Sequence, residues 1–212
     1  MNAHPSDSGG DSAQLVLASG SPRRLEILTG LGIRVRQCPV DVDETVESGE
    51  SAESLVRRLA LAKAEAGRAP GTGGLPVLGA DTVVALDGRV LGKPSGRDEA
   101  VDMLLALSGR SHEVLSGVAV ADGQGDRIRV RVSRSIVRFR DLPRNEAELY
   151  WSTGEPRDKA GAYGIQGVGG IFVSHLEGSF SGVMGLPVAE TEELLRMAGV
   201  DCWRYRITGG NR

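Results

Sequence analysis

The sequence predicts an α/β protein with a mixed, twisted sheet flanked by helices. Two patterns lead there. Short apolar runs of strand character alternate with segments of helical periodicity, which implies strands and helices layered on one another. Two hairpin signals add antiparallel neighbours, so the sheet is mixed rather than wholly parallel. Composition agrees: of 212 residues, 40% are hydrophobic and 25% charged. Such a chain can build a core and is too apolar for a disordered one.

The elements follow in order. Residues 1–13 are small and polar and read as a disordered tail. Leu15 to Ala18 is a short buried strand. Ser19-Gly20-Ser21 makes a tight turn, after which Ser21 caps a helix with Pro22 at its first position. That helix stops at Gly30. A second helix spans Ser51 to Gly67, with Leu55, Leu59, Ala62 and Ala66 on one face. Pro76 to Ala80 and Val83 to Leu91 read as strands, the latter turning at Asp87-Gly88. Arg97 to Leu107 is a helix ending before Gly109. Two long alternating strands, His112 to Ala121 and Arg127 to Arg140, flank the turn Asp122 to Asp126. Pro143 to Thr153 is helical, Ile171 to Val173 a strand, and Pro187 to Met197 the last helix. With no repeat, long linker or shift in composition, residues 14–208 form one domain.

Composition also excludes classes of function. No apolar run approaches the roughly 18 residues of a membrane span. The opening MNAHPSDSGGDSAQ has neither the basic nor the apolar region of a secretory signal, so a soluble, cytoplasmic protein is expected. A net charge of −3 argues against bulk attraction to nucleic acid or anionic membrane. Six arginines between 127 and 140 alternate with Ile128, Val130 and Val132, which favours a solvated strand face over a nucleic-acid surface. Cys38 and Cys202 make neither a disulfide framework nor a metal cluster. His4, His112 and His175 are scattered and Cys38 has no nearby histidine, so a Ser-His-Asp or Cys-His enzyme is unsupported. Walker and G-x-G-x-x-G loops are both absent.

The segments that could carry chemistry lie elsewhere. A helix N-terminus disfavours cations by about 0.3–1 kcal/mol each, yet the first helix opens with Arg23 and Arg24. Either the two are solvated, or a polyanion sits there against free N–H groups, the Ser19 or Ser21 hydroxyls and the guanidinium forks. Asp81 interrupts an apolar run, either as a turn between two strands or as a functional group at a strand end. Of 25 basic residues only three are lysines, Lys63, Lys93 and Lys159. Where arginine is the default, a retained lysine can mark a need for a compact ammonium, though Lys63 could equally snorkel from its helix. Asp41 to Glu44 is an acidic loop, either solvated or able to help hold Mg²⁺. Glycine numbers 30, and nine of these fall between Gly154 and Gly185. Lys159 to Gly170 is too glycine-rich for a helix, and its small residues would let backbone pack against a flat ligand, with Gln166 offering a donor and an acceptor.

Taken together, Leu17-Ala-Ser-Gly-Ser-Pro-Arg-Arg24, Gly79-Ala-Asp-Thr82, Gly92-Lys-Pro94, Lys159 to Gly167 and Gly185-Leu-Pro187 resemble, in order, the motifs of the Maf family of nucleoside triphosphate pyrophosphatases. The resemblance implies two lobes with a central cleft, a fold like that of the inosine triphosphate pyrophosphatases. It implies hydrolysis of a nucleoside triphosphate to the monophosphate and pyrophosphate with a divalent metal, Mg²⁺ or Mn²⁺. By resemblance Asp81 accepts the proton of the attacking water, Arg24, Lys63 and Lys93 are phosphate-side cations, and Glu44 joins Asp81 at the metal. Ser19 and Ser21 match the phosphate loop, and Arg23, Thr82 and Gln166 match the specificity residues of the branch acting on dTTP and UTP. A homodimer is implied as well. The alternatives are a non-catalytic nucleotide-binding regulator of septum formation, or the same chemistry on 7-methyl-GTP or a broader range of nucleotides.

Overall fold

The computed structural model describes residues 13–68 and 72–203. Apart from Ala13, the expected tail lies outside these residues, as do positions 204–208 at the end of the expected domain. The chain runs β1 (Leu15–Leu17), α1 (Pro22–Gly30), β2 (Val35–Gln37), α2 (Ala52–Ala66), β3 (Val77–Leu86), β4 (Arg89–Leu91), α3 (Arg97–Leu107), β5 (Ser111–Ala121), β6 (Ile128–Phe139), α4 (Arg144–Ser152), β7 (Val173–Glu177), α5 (Phe180–Met184) and α6 (Val188–Met197). Among the described residues seven strands form one sheet in the order β2-β1-β3-β5-β6-β7, with β4 paired to β3. β1 is parallel to β2 and β3, and the other pairings are antiparallel. The sheet is therefore mixed, as the sequence predicts.

Local signals account for most elements. Ser21 caps α1 and Ser51 caps α2, each side chain accepting a backbone N–H three residues on. Asp87 and Gly88 both have positive φ, +50° and +78°, so the β3–β4 turn has the twist a two-residue hairpin needs. Other features depart from expectation. Asp81 does not separate two strands: β3 runs through it, paired to Gly117. The strand placed at Ile171 to Val173 instead occupies Val173–Glu177. β2 and α5 carry no signal recognised in the sequence, being too short for periodicity to register. The glycine-rich segment forms no α-helix, only short 3₁₀ turns such as Ala160–Ala162 and Val168–Phe172.

Alternation along the central strands explains where the cleft lies. On one face, Leu78 and Ala80 of β3 with Val118 of β5 belong to an apolar cluster under α1 and α6. Val84 and Leu86 with Val114 belong to a second cluster, under α3, α4 and the aromatic rings of Phe139, Tyr163 and Phe172. Between the clusters the face carries a polar cross-strand pair, Thr82 and Ser116. The two clusters are the two lobes. The cleft opens where their apolar faces stop. One edge of β3 is split correspondingly, paired to β1 at Val77 and Leu78 and to β4 from Val84 to Leu86.

The other face is covered by α2. Helix and sheet approach closely because two positions have no Cβ. A Cβ on Gly79 would lie 2.3 Å from the Ala64 nitrogen and 2.5 Å from the Ala60 carbonyl, and one on Gly117 would lie 2.3 Å from the Val56 carbonyl. Among the arginines of β6, Arg129, Arg131 and Arg134 are ion-paired with Asp122, Glu193 and Glu113. Cys38 and Cys202 are free thiols. No helix among the described residues is long and apolar enough to cross a membrane.

Two outcomes follow from this packing. In Gly79→Ala or Gly117→Ala the obstacle is backbone, so each should cost about 1–3 kcal/mol or more, read as a lower urea midpoint. His112, 3% exposed, shares a hydrogen bond of 2.8 Å with the Tyr163 hydroxyl. Burial lowers its pKa from 6.5 to about 4. Between those values the unfolded chain binds the extra proton, so stability falls with acidification. The loss should reach about 3 kcal/mol at most, and urea midpoints from pH 7 to 4 should lose that slope in His112→Gln.

Candidate active site

The cleft has a volume of about 550 Å³. Its lining brings together Ser19, Ser21, Arg23, Arg24, Glu44, Lys63, Asp81, Thr82, Lys93 and Gln166, each a residue the sequence singles out. They arrive from distant segments: the β1–α1 turn, the acidic loop, α2, the middle of β3, the end of the β3–β4 hairpin and the glycine-rich segment.

On the α2 side, three charges share one point. Lys63 Nζ donates to Asp81 Oδ1 at 2.8 Å and to Glu44 Oε1 at 2.6 Å. Lys63 and Asp81 are each 8% exposed, so this lysine does not snorkel. The α2 approach over Gly79 and Gly117 sets that reach. Burial alone would raise the Glu44 pKa; the hydrogen bond and charge of Lys63, with Lys93 and Arg24 behind it, outweigh that and hold the carboxyl below its ordinary value. Among the described residues, no group of three or more histidine, cysteine, aspartate or glutamate side chains is placed to hold a metal. The carboxylates that line the cleft are Glu44, Asp81 and Asp158, of which Glu44 and Asp81 converge on Lys63. Two carboxylates that converge on one ammonium are oxygen donors of the kind a hard divalent cation takes, with water and phosphate oxygens completing its shell.

On the opposite face, Arg24 anchors a polar chain. Its Nε donates to the Gly185 carbonyl at 2.9 Å, Nη1 to Ser19 Oγ at 3.0 Å, and Nη2 to Thr82 Oγ1 at 3.5 Å. Burial lowers its pKa, and the nearby Asp81 charge works against that. Ser116 Oγ donates to the Gly182 carbonyl at 2.7 Å, which uses its single proton. Thr82 therefore donates in the 2.7 Å contact with Ser116, its one proton shared with the Gly185 carbonyl at 3.3 Å, and accepts from Arg24. This direction ties α1, β3, β5 and the α5–Gly185 turn together. Ser19 Oγ also accepts the Ser21 N–H at 3.2 Å, which shapes the turn ahead of the α1 N-terminus.

Across the cleft, Arg23 Nη1 meets Asp158 Oδ2 at 3.3 Å. The Gly161 N–H donates to the Gly92 carbonyl at 3.0 Å, which ties the glycine-rich segment to the turn that carries Lys93. Asp158, Ser116 and the backbone carbonyl of Gly185 escape a reading of the sequence alone. Ser116 does leave a sign, since Ser116-Gly117 interrupts an apolar strand as Asp81-Thr82 does.

A half-positive helix terminus, five basic side chains (Arg23, Arg24, Lys63, Lys93 and Lys159) and two convergent carboxylates share one cleft, a lining that suits a polyphosphate ester. The model of the family described as Maf-like protein matches residues 14–198. The chain belongs to that family. It is 50% identical over 196 residues to a dTTP/UTP pyrophosphatase of Alkalilimnicola ehrlichii, covering 90% of this chain and 96% of that one. It is also 50% identical over 190 residues to a dTTP/UTP pyrophosphatase of Methylococcus capsulatus, covering 90% and 93%. Among solved structures, a nucleoside-triphosphatase / dITP/XTP pyrophosphatase of Mycobacterium abscessus aligns with 61% of this chain and 75% of its own at 19% identity, with a TM-score of 0.40. That overlap is too slight to bear on the reading.

Removing one member of the buried pair leaves the other uncompensated. Lys63→Met should cost about 3 kcal/mol, the low end for a broken buried pair because the cleft admits water. Adding Asp81→Asn should restore most of it, since the stranded carboxylate is then neutral. Urea denaturation of both variants checks this coupling.

Proposed function

We propose that this Maf-like protein hydrolyses dTTP and UTP to the nucleoside monophosphate and pyrophosphate. The observation that carries the reading is the pair of carboxylates, Asp81 and Glu44, held on one ammonium in a cleft lined by Arg23, Arg24 and Lys93. The 50% identity to relatives named for this activity supports it.

The triphosphate lies against the α1 N-terminus and the Ser19 and Ser21 hydroxyls, with Arg24, Lys63 and Lys93 offsetting its charge. Asp81 accepts a proton from water as the water oxygen bonds to the α-phosphorus. The bond from that phosphorus to the β-bridging oxygen breaks, and pyrophosphate leaves with the electron pair. Lys63 takes Oδ1 of Asp81, which orients the carboxylate and leaves Oδ2 for the water. A divalent cation, Mg²⁺ or Mn²⁺, held by Asp81 and Glu44 would neutralise phosphate charge and acidify bound water. On the base side, Arg23, Thr82 and Gln166 select the nucleotide. A Gln166 amide that donates to O4 and accepts from N3–H matches uracil and thymine; the same amide rotated matches cytosine, so selectivity depends on how the amide is held. A homodimer and a cytoplasmic setting belong to the same reading and rest on the family resemblance.

Pyrophosphate release from dTTP, UTP, CTP, GTP and 7-methyl-GTP, with Mg²⁺ or Mn²⁺, tests this directly. Release from dTTP and UTP is expected, with kcat reduced about 10²–10⁴-fold in Asp81→Asn. Release from 7-methyl-GTP alone would overturn the base assignment. No release from any nucleotide by folded protein would overturn the enzyme.

A further inference from the structure

The glycine-rich segment that carries Gln166 is organised by an acid absent from the reaction scheme. Glu155 follows α4, after Gly154, whose φ of +79° turns the chain back toward the cleft. Its carboxylate meets three donors. Oε1 accepts the Tyr150 hydroxyl at 2.7 Å and the Gly169 N–H at 3.2 Å, and Oε2 accepts the Val168 N–H at 2.9 Å. Having given its proton to Glu155, the Tyr150 oxygen accepts the Gly164 N–H at 3.0 Å. Both ends of the stretch from Gly164 to Gly169 are thereby fastened to one carboxylate. Gln166 stands between them, exposed and lining the cleft.

The glycines are the imprint of this knot. A Cβ on Gly167 would lie 2.4 Å from both carboxylate oxygens of Glu155, and one on Gly169 would lie 2.5 Å from the Tyr150 hydroxyl. On Gly164 it would lie 2.7 Å from Lys159 Cε. Lys159 in turn donates to the Glu155 carbonyl and to Asp158, each at 2.8 Å. Such close approach to a carboxylate is open only to backbone without side chains. Three of the nine local glycines, Gly164, Gly167 and Gly169, are accounted for by main chain wrapped around Glu155 and its partners.

We infer that Glu155, acting with Tyr150, is a positioning residue that holds Gln166 against the base and so sets the base selectivity of the cleft. The inference rests on the proposed role of Gln166 and deepens it. Hydrogen bonds to a charged acceptor are the strong kind, and a cluster of them around one carboxylate fixes a loop that its own glycines would otherwise leave loose. Phosphate-side groups come from other segments, so loosening this loop should act on nucleotide binding before it acts on the chemical step.

The test compares UTP and CTP kinetics for wild type, Glu155→Gln, Tyr150→Phe, Gln166→Ala and Glu155→Gln/Gln166→Ala, with Tm measured alongside. In Glu155→Gln the amide places a donor where only acceptors fit. The preference for UTP over CTP should fall about tenfold, mostly through KM, and Tyr150→Phe should move it in the same direction. In the Gln166→Ala background, Glu155→Gln should change the preference no further. A lower Tm with an unchanged preference in both single variants would overturn the inference and leave Glu155 a purely structural residue. So would an equal fall in kcat for both nucleotides at constant KM. If Gln166→Ala itself leaves the preference intact, the reading of Gln166 fails and the inference with it. That failure is visible without the Glu155 variants.

Discussion

The Lys63 ammonium is where the fold and the site meet. Two carboxylates from separate segments, Glu44 in a loop and Asp81 on β3, end on it within 2.8 Å. That contact is possible only because α2 lies nearly on the backbone of the sheet. Gly79 precedes Asp81 by two residues on the same face, and Gly117 pairs with Asp81 across β5. Both positions are empty where α2 crosses. The glycines therefore serve packing and chemistry at once: a methyl group at either would lift the helix, and Lys63 with it, from the carboxylate. Electrostatics sharpens the requirement, because a carboxylate this buried needs a partner held close by the scaffold.

The same strand arrangement accounts for the cleft. Apolar clusters on either side of Thr82 give each lobe its own core, and the polar pair Thr82 and Ser116 occupies the seam. Because β1 and β4 pair with different stretches of one β3 edge, the cleft can draw on groups from both faces of the sheet. Arg24 and Thr82 come from one face; Asp81 and Lys63 come from the other.

Much of this is legible in the residues, for reasons that differ by segment. The β1–α1 turn reads clearly because capping, proline placement and paired arginines are local features. The Asp87-Gly88 hairpin reads clearly because its turn chemistry is nearly unique. Each of the ten residues singled out in the sequence lines the cleft, because short motifs of unusual local composition stand out even where their neighbours in space do not. What stays hidden is non-local. Asp81 looks like a break between strands because nothing nearby in sequence announces Lys63 as its partner, 18 residues away. Glu155 looks like an ordinary surface acid, since two of the three donors it gathers belong to backbone 13 and 14 residues on. β2 depends on pairing with β1, and a three-residue strand has no period to detect.

The central strands run unbroken through both lobes. β5 pairs with β6 along eleven residues, from Ser111 to Ala121, and with β3 along nine. Among the described residues the lobes share this ladder, so moving one against the other would mean bending strands rather than turning a few linker dihedrals. Two walls built on one ladder take their spacing from folding, which leaves less order to be found when a ligand binds between them.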